Sequence, residues 1–347
     1  MMPKLRMGII GVGGIATQRH IPAYQSLSDQ VEVTAIQDVN GKRAKQVAEQ
    51  FDIPHVFEDY GMLFEHVDAV TICTPNKFHA EMSIAALEAG VHVICEKPMA
   101  MSTEEGKAMV KAAKKNDRLL SIAYHYRYTP EAQLAKTLIT NGEIGDPLVT
   151  RVQALRRRKV PGWGVFTNKE LQGGGSLIDF GCHLLDLSLW LLDDPKPVEV
   201  MGRTYDRLSK IPGQVNDWGP FDHETFNVDD HVTSYITFEN GMSMQFETSW
   251  AANIKEDKTS LSISGVDGGL DVYPFELYQA KYGAVWDSKV KLPKEELSPG
   301  VLQAKNFVDS CLGDAQLVVE PEQALKVTEL MEAIYLSSET GSSIKLV

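Results

Sequence analysis

The run Gly8-Ile9-Ile10-Gly11-Val12-Gly13-Gly14-Ile15-Ala16 constrains this chain more than any other feature. It closes an apolar stretch, Leu5 to Ile10, that reads as a buried strand. It opens a segment, Ile15 to Leu27, that reads as a helix. Gly11, Gly13 and Ala16 fit the G-x-G-x-x-G/A spacing, with Gly14 and Ile15 completing the turn. The first glycine permits a tight turn. The second lets the backbone approach an anionic pyrophosphate at the helix N-terminus, and the small third residue lets helix and strand pack closely. Glycine-rich turns are common, so the surrounding pattern has to support the reading.

It does so over the first ~122 residues, where strand-like and helix-like segments alternate as in parallel α/β units. Val31 to Gln37 is apolar and β-branched and ends at Asp38, 25 residues after Gly13. An acid there hydrogen-bonds the adenosine ribose of NAD and repels the 2′-phosphate of NADP. Lys42 and Arg43 soften that preference, so the reading is NAD with NADP admitted. Two more strands run into Thr74-Pro75-Asn76 and Cys95-Glu96-Lys97-Pro98. Ligands bind beyond the carboxyl ends of strands in open α/β sheets, which places Asn76, Glu96 and Lys97 beside a cofactor and its substrate. The bland alternatives are a helix cap for Asn76 and a surface amine for Lys97.

After Tyr124 the character changes. Strand-like segments succeed one another (Val198 to Met201, Val232 to Phe238, Ser243 to Thr248, Ser260 to Ser264), so a mostly antiparallel sheet is expected. Leu177 to Leu192 carries a helical apolar stripe, and two helices near Val301 to Leu312 and Pro321 to Ser338 close the chain. The fold expected is α/β: a doubly wound parallel sheet over 1–123, then an α+β domain over 124–347 with a large, open, mostly antiparallel sheet.

Composition narrows the function classes. With 34 basic and 47 acidic residues the net charge is −13, which argues against a general nucleic-acid binder. There is no apolar run long enough to span a bilayer. Met7 to Ala16 is too glycine-rich, without a clean small-residue cleavage site, to read as secretory. Cys73, Cys95, Cys182 and Cys311 form no CxxC pair and read as reduced thiols in a cytoplasmic protein.

Several motifs together resemble one family. Gly11-Val12-Gly13-Gly14, Thr74-Pro75-Asn76 with His79, and Ala86 to Val93 running into Glu96-Lys97-Pro98 are similar to the glucose-fructose oxidoreductase / inositol dehydrogenase / rhizopine-catabolism (Gfo/Idh/MocA) family. So is Gly173-Gly174-Gly175-Ser176-Leu177-Ile178-Asp179-Phe180-Gly181-Cys182-His183-Leu184-Leu185-Asp186. The resemblance spans almost the whole chain. It implies a Rossmann domain, an NAD-dependent sugar, inositol or polyol dehydrogenase, and a C-terminal sheet serving a homodimer or homotetramer. It also implies that Lys97, Asp179 and His183 are catalytic.

The residue types suit that chemistry. Asp179 and His183 stand four apart on a helix and so share a face, with Asp186 nearby. The glycine triplet before them is read as letting the helix start approach a ligand. A histidine can take a hydroxyl proton as hydride leaves carbon, and Lys97 can stabilise the developing alkoxide. Asp179 can orient His183 or bind a neighbouring hydroxyl. A metal reading lacks further ligands at convincing spacing. Tyr124, Tyr126, Arg127 and Trp163 are substrate candidates, with domain packing as their alternative. Read along a strand, Arg156-Arg157-Arg158-Lys159 divides between two faces, in salt links within the sheet or at a subunit contact. Two other functions stay open: NAD-assisted glycoside cleavage by oxidation and elimination, and a cofactor-binding sugar sensor without catalysis.

Overall fold

The computed structural model describes residues 4–292 and 296–346. The first elements are β1 (Leu5–Ile10), a wide π-type turn (Ala16–His20) leading into α1 (Ile21–Gln25), β2 (Val31–Gln37), α2 (Gly41–Phe51), β3 (His55–Phe57) and α3 (Tyr60–Leu63). Then come β4 (Ala69–Ile72), α4 (His79–Glu88), β5 (His92–Cys95), α5 (Thr103–Asn116) and β6 (Leu120–Ile122). Next are α6 (Pro130–Thr140), β7 (Pro147–Leu155), α7 (Lys169–Gln172), and a second π-type turn (Leu177–Gly181) continuing as α8 (Cys182–Leu191). They are followed by β8 (Pro197–Tyr205), β9 (His231–Phe238), β10 (Ser243–Ser249), β11 (Lys258–Gly265), β12 (Gly268–Asp271), β13 (Glu276–Lys281) and β14 (Ala284–Lys289). The chain closes with α9 (Pro299–Leu312), α10 (Pro321–Thr340) and β15 (Ile344–Lys345).

The first compact unit holds a six-stranded parallel sheet in the order β3-β2-β1-β4-β5-β6, the doubly wound arrangement expected. Its central strands are buried on both faces: all four residues of β4, Thr71 included, are buried. The helices are capped as their sequences dictate. Ser102 Oγ accepts from Glu105 N at 3.2 Å while Glu105 Oε2 accepts from Met101 N at 3.0 Å, and Asn40 Oδ1 accepts from Arg43 N at 3.1 Å.

The sequence reading ends the first domain at residue 123 and gives 124–347 to the second. The compact unit instead runs through Tyr128 and takes back Glu296–Thr328. The physical reason is apolar: Ala304, Phe307 and Val308 of α9 belong to the same buried cluster as Met7, Ile9, Val12 and Tyr24. Burying Phe307 alone is worth about 2–3 kcal/mol.

The second unit is built on a nine-stranded sheet, β14-β13-β12-β11-β7-β10-β9-β8-β15. β7 and β10 run parallel and every other neighbouring pair is antiparallel. Alternation along β9 turns Val232, Ser234, Ile236 and Phe238 inward and Tyr235 outward. The helix bearing Asp179 and His183 packs on the inner face. A Cβ at Gly181 would stand 3.0 Å from both Phe246 and Thr248 of β10.

α6 has no counterpart in the sequence reading, although Thr129-Pro130-Glu131 carries a helix-start signature and Thr129 caps it. β7 ends at Leu155, so strand alternation does not sort the basic cluster that follows. Its four side chains are held singly in coil: Arg156 by Asp179, Arg157 by the Lys255 carbonyl, Arg158 by Asn253 and Lys159 by Asp257.

Candidate active site

In the first unit, the turn after β1 has the form its glycines allow. Gly11 has φ +83°, and a Cβ there would meet the Cys73 carbonyl oxygen at 2.9 Å. A Cβ at Gly13 would meet nothing within 4 Å. Open space therefore lies beside the first turn, where the leading N–H groups have no intrahelical acceptor. That is the cradle a pyrophosphate requires, and Gly14 and Ile15 continue it.

Asp38 follows β2 and is almost wholly buried, its side chain 3% exposed. Its Oδ2 accepts from Val12 N at 2.9 Å, which ties it to the glycine turn, and its Oδ1 accepts from Asn40 N at 2.8 Å. Arg43 Nη2 donates to both oxygens at 2.8 and 2.9 Å. Ribose hydroxyls reaching Asp38 must compete with a half-exposed guanidinium. The same guanidinium offers a cation to a 2′-phosphate, so the residues fit NAD and admit NADP.

The loops after β4 and β5 are joined by His79. Its Nδ1 lies 2.8 Å from Pro98 O and its Nε2 3.0 Å from Thr74 O, and burial lowers its pKa. Asn76 is buried beside it, Thr74 and Pro75 are half-buried, and the Lys97–Pro98 peptide bond is cis. Glu96 is buried against His20, with Oε1 2.8 Å from Nε2, and its Oε2 accepts from Lys97 N at 3.2 Å. Burial raises the Glu96 pKa, but the His20 hydrogen bond and the charges of His20, Lys97 and Arg19 outweigh it and hold the carboxyl near 2. Lys97 itself is half-buried.

After β6 the candidates separate. Tyr124 is fully buried; Tyr126 is half-buried with its ring edge-on to His125. Arg127 is 1% exposed and donates through Nη1 to Val318 O and Gln323 Oε1, clasping the returning segment. Those bonds accord with the packing alternative for Arg127.

In the second unit, two of the three glycines answer to crowding. A Cβ at Gly174 would fall 2.0 Å from the Tyr335 hydroxyl, and one at Gly175 would fall 1.9 Å from the Asp229 carbonyl oxygen. The Asp229 carboxylate caps the helix start. It accepts from Gly175 N at 2.7 Å, Ser176 Oγ at 2.9 Å, Leu177 N at 3.0 Å and the Tyr335 hydroxyl at 2.6 Å.

Asp179 sits in the π-type turn. Its Oδ2 accepts from Arg156 Nη1 at 3.1 Å and Trp250 Nε1 at 3.0 Å. π-type turns inside helices recur at functional sites. His183 lies one turn further on and is buried, as is Asp186. The Arg156 guanidinium stacks 4.3 Å from the Phe180 ring centroid and 4.6 Å from that of Trp218, whose ring lies 5.3 Å from that of Trp163. Arg156, Trp218 and Trp250 are thus part of the Asp179 surroundings, although nothing in the local sequence marks them. Among the described residues, no group of three His, Cys, Asp or Glu side chains could hold a metal ion.

Comparison with known proteins places the chain. "Oxidoreductase family, NAD-binding Rossmann fold" matches residues 5–124, and "GFO/IDH/MocA C-terminal domain" matches residues 132–271. The chain belongs to the Gfo/Idh/MocA oxidoreductase family. It is 35% identical over 350 residues to a D-glucoside 3-dehydrogenase of Escherichia coli K12, covering 99% of this chain and 97% of that one. A levoglucosan dehydrogenase of Pseudarthrobacter phenanthrenivorans is 31% identical over 79% of this chain and 75% of its own. A solved levoglucosan dehydrogenase structure in complex with NADH and levoglucosan superposes with TM-score 0.85, at 25% identity, over 99% of both chains. As a member of this family the protein is an NAD-binding oxidoreductase, and among the described residues no helix is long and apolar enough to cross a membrane.

Proposed function

We propose that this enzyme transfers hydride between NAD and a hydroxyl-bearing carbon of a pyranose sugar of the glucoside type. The observation that carries the reading is the head of the 177–191 helix. There a carboxylate, fixed by a guanidinium and an indole N–H, stands one turn before a buried imidazole. The full-length likeness to a D-glucoside 3-dehydrogenase supports the same substrate class.

In this reading His183 takes the hydroxyl proton and returns it in the reverse direction. Lys97 is the other catalytic candidate, a hydrogen-bond donor able to favour alkoxide character. Asp179 holds a neighbouring hydroxyl in a fixed orientation. Bound nicotinamide supplies the hydride acceptor. The substrate carbon loses a hydride and its oxygen a proton, which leaves a ketone, reduced cofactor and one proton. The glycine turn and Asp38 hold the pyrophosphate and adenosine ribose. Thr74, Pro75, Asn76, His79 and Glu96 frame the nicotinamide end, and Tyr126 is retained as a substrate contact.

The test is a panel of glucosides, free aldoses and inositols scored for reduction of NAD and of NADP. Glucosides are expected to give net reduced cofactor with NAD, and at a lower rate with NADP. Release of an aglycone without net reduced cofactor would instead indicate oxidation followed by elimination. Sugar binding with neither product would indicate a sensor.

We also propose that the chain is a cytoplasmic homodimer or homotetramer assembled through the outer face of the nine-stranded sheet. Met201 and Tyr235 are direct cross-strand partners on that face, 40% and 47% exposed. Sedimentation velocity is expected to give a mass two or four times that of the chain; a monomer at micromolar concentration would refute it.

A further inference from the structure

Two coil segments of the second unit, 156–168 and 206–230, each place a tryptophan at the surface. Trp163 is 53% and Trp218 38% exposed, and their rings stand 5.3 Å apart at 47°. Neither is loosely held. Asn216 Oδ1 accepts from Val160 N at 2.8 Å, Asn216 Nδ2 donates to Val160 O at 2.9 Å, and Asp217 N donates to Arg158 O at 2.8 Å. The same two segments contribute Val160, Phe226 and Val228 to a buried apolar cluster with Trp250 and Ala251. Phe226 and Trp250 are buried here, Phe166 and Phe221 are half-buried, and the two adjoining indoles stay partly open to water. Paired, rigid, solvent-facing indoles suit the C–H face of a sugar ring, which offers apolar area flanked by hydroxyls.

Arg156 fixes where this surface begins. One guanidinium both stacks on Trp218 at 4.6 Å and donates to Asp179 at 3.1 Å. The indole pair therefore starts one guanidinium width from the carboxylate assigned above to the reacting sugar. A free monosaccharide held at Asp179 has no second ring to lay on it.

We infer that Trp163 and Trp218 form a subsite for a second pyranose ring, joined through a glycosidic bond to the ring that is oxidised, so that the enzyme selects disaccharides over simple glucosides. This rests on the oxidoreductase reading above. Arg156 acts as the hinge residue between the two rings, presenting N–H groups to the glycosidic side while its flat face supports Trp218.

The full-length chain, loaded with NADH, is titrated calorimetrically with cellobiose, maltose and the matching methyl glucosides. The wild type is compared with Trp163→Ala, Trp218→Ala and the conservative Trp163→Phe. In either alanine variant the disaccharide affinity is expected to fall about tenfold further than that of the methyl glucoside, with Trp163→Phe recovering most of the loss. Equal losses for both sugar classes, or no loss in either, overturn the proposal. So does a wild type that binds neither disaccharide, or variants that change only the sedimentation coefficient, which would make the indoles a contact between copies of the chain. Turnover is measured alongside. If disaccharides bind selectively but yield no reduced cofactor, the dehydrogenase reading falls and the subsite stands.

Discussion

His183→Asn is expected to lower kcat for sugar oxidation by about 10²–10⁴-fold while leaving NADH affinity within a factor of about two. Asparagine keeps polarity and approximate size at a buried position on α8, so the helix should survive. What it removes is the imidazole assigned to take the hydroxyl proton. The cofactor loops lie in the other compact unit, which is why binding and chemistry should separate. Lys97→Met should lose kcat by a similar order, because it removes a hydrogen-bond donor. Turnover retained within about threefold in His183→Asn would end the assignment of that residue as base.

The second large effect is structural. Asp229→Ala is expected to destabilise the protein by about 3–5 kcal/mol. The Asp229 carboxylate is 6% exposed and takes hydrogen bonds from Gly175 N, Ser176 Oγ, Leu177 N and the Tyr335 hydroxyl. Alanine leaves those donors in an apolar surround with nothing to accept from them, and it uncaps the helix that positions Asp179 and His183. Asp229→Asn should cost less, because one oxygen still accepts. Tyr335→Phe should cost about 1 kcal/mol, since it deletes a single donor. Denaturant unfolding followed by tryptophan fluorescence reads all three. An Asp229→Ala midpoint indistinguishable from that of the wild type would show that water replaces the carboxylate at the helix start.

The parallel sheet was legible because burial on both faces leaves a trace: in Ala69-Val70-Thr71-Ile72 only Thr71 is polar, and Pro75 follows as a stop. Asp38 was legible because its position after the second strand is fixed by a chemistry shared across dinucleotide folds. Arg156, Trp218, Trp250 and Asp229 were not, because their roles lie in partners far along the chain. Trp250 meets Asp179 across 71 positions, and Asp229 meets Ser176 across 53. The glycine triplet was seen but its cause was not, since the obstruction comes from Tyr335 and the Asp229 backbone. The β13–β14 hairpin left no pattern either. Its residues are exposed or half-exposed on both sides, so no apolar alternation records it.

The return of α9 to the first unit has a consequence for how the protein is made. A nucleotide-binding module that closed on itself by Tyr128 could fold while the remainder was still being translated. Here Phe307 and Val308 complete the hydrophobic interior around Met7, Ile9 and Tyr24. The ribosome must therefore deliver the chain past Val308 before that interior is sealed. Until then the emerging N-terminal sheet carries an uncovered apolar flank, which chaperones would have to shield.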